Sequence, residues 1–348
     1  MERIVKALIE YEHIDGDDFE KLFKGEDVEL ETFSDRRARI EKADEEVLAK
    51  EKAEAEAKAA TRQLAKRQMT WLRPLRPLLL RKGWANMQRF CEKEARKLNK
   101  LKYILFDVDD TVTNGGKLTG EAFAAMWKLK EHGFKLIPVT GRPAGWCDMM
   151  LRQWPVQAVI CENGAFVYDY DEHNAVRMIR HPLAAAEPKK LLEPVKAAVL
   201  KAFPKVRMAH DQFARIYDAA FDFAEDEPKL PLETAYAVAK LCRDMGAEAK
   251  VSSIHVNAWF GAYSKADMAA IYLKDYCHAD DAENEAMFFG DSPNDEPMFA
   301  AFPLSCGVAN IAPFADRMAH LPAYILDGEG GYGFAEAADI ICKSTQCG

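Results

Sequence analysis

Two aspartates follow an apolar run within the segment Ile104–Thr113. The run predicts a buried strand, and Asp107 and Asp109 stand two positions apart where it ends. Side chains at positions i and i+2 leave a strand on the same side, so both carboxylates can reach one space. Burying two carboxylates is costly unless a cation or a reaction needs them. One could serve as a nucleophile and metal ligand, and the other as a proton donor and acceptor.

Three later segments place polar residues after an apolar run or at the start of a predicted helix. They are Thr140-Gly141-Arg142, Lys265, and Asp291 with Asn294 and Asp295. The carboxyl ends of parallel strands share one edge of a sheet, where ligands of open α/β folds bind. The pattern therefore predicts one site assembled from four separate segments.

Taken as a set, these segments resemble the four motifs of the haloacid dehalogenase (HAD) superfamily. Asn163-Gly164-Ala165 resembles a further mark of its subfamily IIB, the Cof-type and sucrose-phosphatase-like hydrolases, whose α/β cap is inserted late in the core. The resemblance covers roughly residues 101–348. It implies a Rossmann-like three-layer α/β/α core with an inserted α+β cap.

The resemblance also implies a chemical role for each aspartate. Asp107 would attack the phosphorus of a phosphomonoester and become an aspartyl-phosphate. Asp109 would protonate the leaving oxygen and then deprotonate the hydrolytic water. Mg²⁺ would be held by the Asp107 and Asp291 carboxylates and the Asp109 carbonyl, because hard oxygen ligands suit this ion.

Supporting roles follow from the same resemblance. Thr140 and the Gly141 N–H would bind a phosphate oxygen, and Lys265 would neutralise negative charge. Arg142 could contact the phosphate or leaving group, or form a surface salt bridge. Asp295 could hold a metal-bound water, orient Lys265, or cap a helix. Further candidates for substrate binding are Asn163, Asn257 and Asn294, and in the cap also Arg180, His181, Arg215 and His255.

Strand and helix patterns alternate after residue 101, which predicts a parallel sheet covered by helices. The predicted core strands are 103–107, 135–139, 157–161, 286–290 and 304–308. We expect the core to comprise residues 101–168 and 250–348, with the cap at 169–249 between them. Residues 251–260 would return the chain toward the core.

Residues 1–100 differ in composition and predict a charged, helical extension. Residues 3–24 resemble the tail of the FtsH-family peptidase domain, although the chain has neither a His-Glu-x-x-His helix nor a phosphate loop. Residues 35–68 lack Gly and Pro and favour a long helix. Residues 62–100 hold twelve Lys or Arg against two Glu, which favours docking on the acidic remainder or a solvated linker over membrane binding.

Composition limits the class of protein. The formal net charge of −9 argues against general nucleic-acid binding. Eight scattered cysteines without a Cys-x-x-Cys pair favour reduced thiols in a cytosolic protein. Neither a bilayer-spanning apolar stretch nor a signal-peptide core occurs. We expect a soluble cytoplasmic protein for which membrane binding is disfavoured, while the oligomeric state stays open.

The leading hypothesis is a Mg²⁺-dependent phosphatase acting on a small phosphorylated metabolite. A sugar phosphate is favoured, because late-cap relatives include sugar phosphatases. Two alternatives remain: a phosphosugar mutase, which shares the aspartyl-phosphate step, and an interaction protein that works through residues 1–100.

Overall fold

A parallel sheet forms where the apolar runs predicted it. The computed structural model describes residues 87–252 and 254–345, with four further residues between positions 20 and 24. The FtsH-like piece at 3–24, the helix expected at 35–68 and most of the basic segment 62–100 therefore lie largely outside the described residues.

The strands and helices of the described part are as follows. The strands are β1 (Gln88–Arg89), β2 (Tyr103–Phe106), β3 (Thr113–Asn114), β4 (Lys117–Leu118), β5 (Lys135–Pro138), β6 (Ala158–Cys161), β7 (Phe166–Tyr170), β8 (Val176–Arg180), β9 (Arg207–Met208), β10 (Asp218–Asp222), β11 (Glu248–Val251), β12 (His255–Trp259), β13 (Ala286–Gly290), β14 (Ser305–Gly307) and β15 (Tyr324–Ile325). The helices are α1 (Glu92–Ala95), α2 (Gly120–Glu131), α3 (Ala144–Gln153), α4 (Pro188–Ala202), α5 (Leu232–Asp244), α6 (Lys265–Ile271), α7 (Ala282–Glu285), α8 (Glu296–Ala301) and α9 (Gly330–Thr345).

The main sheet has the strand order β1-β15-β14-β13-β2-β5, and every neighbouring pair is parallel. Strand β2 lies between β13 and β5, so the segments that follow these three strands meet at one edge. Strand β1 forms the edge of the sheet opposite β5. The sheet therefore includes residues before position 101, the position at which we expected the core to start.

Each face of this sheet packs against helices, because successive side chains of a strand point to opposite faces. Ile104 and Phe106 lie in one apolar core, with residues of α2, α3 and α9, and both are fully buried. Leu105 lies in the other core, with residues of α6 and α8. Burying each such side chain contributes about 1.5–3 kcal/mol. This layering confirms the predicted α/β, Rossmann-like class.

The strand predicted at 157–161 forms as β6 but has different partners from those expected. It pairs antiparallel with β7, which pairs with β8 in a three-stranded sheet. A single parallel bridge, between Val139 and Ile160, connects β6 to the end of β5. The structure built on β6 therefore runs to Arg180, beyond the expected core limit at residue 168.

A second, antiparallel sheet has the order β11-β12-β10-β9. One of its faces packs against α4 and α5 through apolar side chains that include Val195, Phe221, Val238 and Val256. Strand β12 pairs with both β10 and β11. The segment 251–260, which we expected to return toward the core, thus contributes a strand to this second sheet.

Within the described residues, no helix is both long enough and apolar enough to cross a bilayer.

Candidate active site

Three buried carboxylates converge after strands β2 and β13. One ligand atom each from Asp107, Asp291 and Asp295 lies within 4.8 Å of the other two. Asp107 directly follows β2, and its N–H donates to the carbonyl of Phe289 in β13 over 2.9 Å. The parallel pairing of these two strands therefore brings together acids that are far apart in sequence.

Lys265 lies against this carboxylate cluster. Its Nζ donates to Asp107 Oδ1 over 2.8 Å and to Asp295 Oδ1 over 3.1 Å. Lys265 begins helix α6, and the Ser264 side chain caps that helix by accepting the N–H of Asp267. The structure thus brings Lys265 to the acids with which sequence reasoning grouped it.

Two glycines make this close assembly possible. Gly164 has φ +99°, and a Cβ placed there would stand 2.2 Å from the Ser264 carbonyl oxygen. A Cβ at Gly290 would stand 2.6 Å from Asp295 Oδ2. Without side chains at these positions, the backbone before Lys265 and the Asp295 carboxylate can both approach the site. Asp295 Oδ2 also accepts the N–H of Asp291 over 3.1 Å.

The donor set fits a hard divalent cation. Burial raises the pKa of Asp107 and of Asp291, and neighbouring carboxylates raise both further. Burial alone would lower the pKa of Lys265, but Asp107 and Asp295 raise it, so the ammonium stays charged. One ammonium cannot balance three carboxylates. A cation with oxygen ligands, such as Mg²⁺, would offset the excess negative charge.

Sequence reasoning missed Asn310, which supports the same cluster. Its Nδ2 donates to the Asp110 carbonyl over 2.8 Å and lies 3.5 Å from Asp291 Oδ2. Its Oδ1 accepts the N–H of Gly330 over 3.0 Å. Asn310 comes soon after β14, at the same sheet edge. The rule that selected Asp291 could therefore have found it.

Thr140 is fully buried, and its hydroxyl can still donate one hydrogen bond. The oxygen accepts the N–H of Arg142 over 3.1 Å, and the Thr140 carbonyl accepts the N–H of Asn163 over 3.1 Å. The hydroxyl proton is therefore available for an acceptor in the site. The neighbouring Gly141 carbonyl accepts from Arg215 Nη1 over 3.0 Å.

Arg142 is buried and paired with Asp109. Its Nε and Nη2 donate to the two Asp109 oxygens over 2.9 and 2.7 Å. The guanidinium stacks on Trp146, with 4.3 Å to the ring centre, and lies 3.7 Å from Glu225. Because only 6% of Arg142 is exposed, the interpretation as a surface salt bridge is wrong.

Asp218 joins the predicted residues Asn163 and Asn257, although sequence reasoning did not single it out. Its Oδ2 accepts from Asn257 Nδ2 over 2.8 Å and from Asn163 Nδ2 over 3.4 Å. Arg215 Nη1 donates to both of its oxygens over 3.0 Å. Asp218 and Asn257 belong to the second sheet, so this network connects that sheet to the segment beside Thr140.

Glu162 makes a second connection that sequence reasoning missed. Its buried carboxylate accepts the N–H groups of Ala144, Ile216, Tyr217 and Asp218 over 2.6–3.2 Å. Burial raises the pKa of Glu162 and Asp218 adds to this rise, while the backbone N–H groups oppose it. One side chain thereby fixes the start of strand β10 to the start of helix α3.

The remaining predicted residues lie in other positions. Asn294 occupies the turn Pro293–Asp295 and makes no side-chain hydrogen bond within the described part. Arg180 is exposed at the end of β8. The buried His181 accepts the N–H of Leu183 at Nδ1 over 3.0 Å, and His255 Nε2 lies 2.8 Å from Glu225 Oε2.

Part of the chain matches a known protein family. Residues 104–212 match the model of the haloacid dehalogenase-like hydrolase family. No curated protein matches the chain.

Solved structures with a similar fold include three from different organisms. A protein of Thermoplasma acidophilum is 17% identical, with a TM-score of 0.54, over 70% of this chain and 100% of its own. A haloacid dehalogenase-like hydrolase from Bacteroides thetaiotaomicron is 16% identical, with a TM-score of 0.53, and the match covers 70% of this chain and 100% of that protein. The sucrose-phosphatase of Synechocystis, solved with sucrose and phosphate, is 15% identical, with a TM-score of 0.51. The match covers 70% of this chain and 98% of that protein.

The family match starts within strand β2, which directly precedes Asp107. The second sheet is inserted between the Asn163-Gly164-Ala165 segment and Lys265. Over residues 104–212 the chain is similar to the haloacid dehalogenase-like hydrolases, and its described part shares the fold of the solved structures named above.

Proposed function

We propose that this chain is a Mg²⁺-dependent phosphatase that hydrolyses small phosphomonoesters through an aspartyl-phosphate. One observation carries the proposal: Lys265 Nζ lies 2.8 Å from Asp107 within a buried group that also contains Asp291 and Asp295. The Asp107 carboxylate can attack phosphorus as a nucleophile, and the Lys265 ammonium beside it can balance negative charge on the phosphate. The remaining carboxylates can bind a divalent cation.

In the first step, an Asp107 oxygen forms a bond to phosphorus, and the bond from phosphorus to the leaving oxygen breaks. Asp109 gives its proton to that leaving oxygen. Lys265 balances negative charge on Asp107 and on the phosphoryl group. The Thr140 hydroxyl donates a hydrogen bond to a phosphoryl oxygen.

In the second step, a water oxygen forms a bond to the phosphorus of the aspartyl-phosphate. Asp109 takes a proton from this water, and the bond between phosphorus and the Asp107 oxygen breaks. Inorganic phosphate leaves, and both aspartates return to their starting protonation states. The reaction needs no oxidant or further reactant.

We assign the metal ligands to the Asp107 and Asp291 carboxylates and the Asp109 carbonyl. When bound there, Mg²⁺ would neutralise the repulsion between the carboxylates and the phosphate. Asp295 orients Lys265 through its 3.1 Å contact, and Asn310 holds the Asp110 carbonyl and Asp291 in place.

We further propose that residues 181–264, which carry the second sheet, act as the cap that selects the substrate. Asn257 and Asp218 extend from this sheet toward Asn163 and would contact the part of the substrate that is not transferred. The fold likeness to a sucrose-phosphatase makes sugar phosphates the first substrates to test.

The experiment is a phosphate-release assay on a panel of phosphomonoesters, with Mg²⁺ and with EDTA. We expect release with Mg²⁺ only, and loss of release in Asp291→Asn. The matched control Asp281→Asn changes an exposed carboxylate paired with Lys100 and should keep the activity. A folded, metal-loaded protein that releases no phosphate would contradict the proposal, and an isomerised sugar phosphate as product would indicate a mutase instead.

A further inference from the structure

Lys250 lies on the open face of the second sheet. It pairs with Asn257 across strands β11 and β12, and directly opposed residues of an antiparallel pair point to the same face. Its neighbours Ala249 and Val251 pack into the apolar core beneath helices α4 and α5. Lys250 therefore points away from these helices, on the side from which Asn257 reaches Asp218.

That face adjoins the segment beside Thr140. Asp218 accepts from Asn163, which lies beside the Thr140 segment. Two of the charges that act on Lys250 belong to the active site: burial lowers the pKa of Lys250, Lys265 lowers it further, and Asp295, Glu248 and Asp267 raise it. The Lys250 ammonium, on the second sheet, is thus influenced by the charges of Lys265 and Asp295.

Among the residues described at 87–252 and 254–345, Lys250 makes no side-chain hydrogen bond and no ion pair within 4.0 Å, and Asp295, Glu248 and Asp267 act on it only at longer range. The other basic side chains of the site are paired: Arg142 with Asp109, Arg215 with Asp218, and Lys265 with Asp107. Partial burial of an ammonium without an acceptor is unfavourable. An anion that enters the site would remove this cost.

We infer that Lys250 binds an anionic group of the substrate other than the phosphoryl group that is transferred. Lys265 and Thr140 serve the transferred group in the proposed mechanism, and Lys250 reaches the site from the opposite, cap side. The substrate class is a phosphomonoester whose retained part carries a carboxylate or a second phosphate. This inference rests on the proposed phosphatase function and specifies its substrate.

The test uses matched substrate pairs that differ in one anionic group. Glycerol 3-phosphate is compared with 3-phosphoglycerate for a carboxylate, and glucose 6-phosphate with glucose 1,6-bisphosphate for a phosphate. The kcat/KM of each compound is measured with Mg²⁺, and compounds that are not hydrolysed are measured as inhibitors of p-nitrophenyl phosphate hydrolysis. We expect the wild-type protein to prefer the two-anion member of at least one pair, which identifies the type of anion.

Lys250→Met should remove this preference. The ratio of kcat/KM, or of inhibition constants, between the two members should fall at least about 30-fold, because truncating one partner of a close charge pair is costly. The matched control Lys240→Met removes the same charge from α5, where Lys240 is exposed and paired with Asp244. It should leave the ratio unchanged.

Three results would overturn the inference. The wild-type protein could show no preference in either pair, Lys250→Met could leave the ratio unchanged, or Lys240→Met could lower it equally. An equal loss on every compound would mean that Lys250 serves the transferred group instead. Absence of phosphate release from all compounds, p-nitrophenyl phosphate included, would instead reject the proposed function itself. Far-UV circular dichroism establishes that each variant is folded.

Discussion

The Arg142 guanidinium holds the Asp109 carboxylate in a two-pronged hydrogen bond, with Nε to Oδ2 at 2.9 Å and Nη2 to Oδ1 at 2.7 Å. Bidentate pairs of this kind fix orientation as well as charge. Arg142 is itself held by stacking on Trp146. The group proposed as general acid and base is therefore oriented by a residue that directly follows the phosphate-binding segment.

Arg142→Lys tests this orientation, because an ammonium cannot reproduce the planar fork. We expect kcat for glycerol 3-phosphate to fall about 10- to 100-fold, within the range that general acid catalysis contributes. The fall for p-nitrophenyl phosphate should be smaller, since p-nitrophenolate leaves without a proton. Steady-state kinetics on both substrates measure the difference. An equal loss on both would mean that Arg142 acts on the phosphoryl group rather than on Asp109.

Asn310→Ala should weaken metal binding. The variant loses the side chain that bonds the Asp110 carbonyl and approaches Asp291, and partners of metal ligands typically contribute about 10- to 100-fold to affinity. The Mg²⁺ concentration for half-maximal activity should rise by that factor. Asn284→Ala, which removes an exposed amide bonded to Asp281, is the control and should not change it. An unchanged Mg²⁺ requirement in Asn310→Ala would exclude this role.

Gly164→Ala should destabilise the fold by about 2–5 kcal/mol, the sum of a left-handed backbone cost and overpacking. Gly246→Ala separates the two contributions, because Gly246 has φ +85° but nothing within 4 Å of its Cβ position. We expect only about 1–2 kcal/mol for this control. Urea unfolding measures both, and equal losses would show that the Ser264 contact is not tight. The extra loss in Gly164→Ala should be accompanied by reduced kcat, since Ser264 precedes Lys265.

Glu162→Gln should lower stability by about 1.5–3 kcal/mol, because a charged acceptor of several buried N–H groups becomes a neutral one that must also place an NH₂ group. Glu193→Gln is the control, since Glu193 is exposed and paired only with Lys196. It should cost less than about 1 kcal/mol. Thermal unfolding compares the two variants. A Glu162→Gln protein as stable as the wild type would mean that this carboxylate is already protonated in the native state.

Sequence reasoning located residues whose position follows from a strand end. Asp107, Thr140 and Asp291 each follow an apolar run, and the three runs became strands near one another in the sheet. Because neighbouring parallel strands end at the same edge of the sheet, residues that directly follow these strands lie close together. The predicted α/β class is confirmed, and the limits of the five predicted core strands agree with the structure to within one residue.

Residues whose position depends on pairing between distant segments were missed. Lys250 shares a face of the second sheet with Asn257 only because β11 pairs with β12 in this register, and a shift of one residue would turn it toward α5. In the sequence Glu162 is an ordinary acid at a strand end. Its role follows only from the N–H groups of Ile216 and Tyr217, which donate to its carboxylate. Strand β1 has two residues, too few for an alternating pattern to be recognised.

The most direct test of the account is to find the phosphoryl group on the enzyme. Acid quenching during turnover, followed by proteolysis and mass spectrometry, should place a phosphoryl group on Asp107 in the wild-type protein. Asp107→Asn should show neither this modification nor phosphate release, while keeping the wild-type circular dichroism spectrum. A phosphoryl group on another residue, or wild-type turnover by Asp107→Asn, would contradict the account.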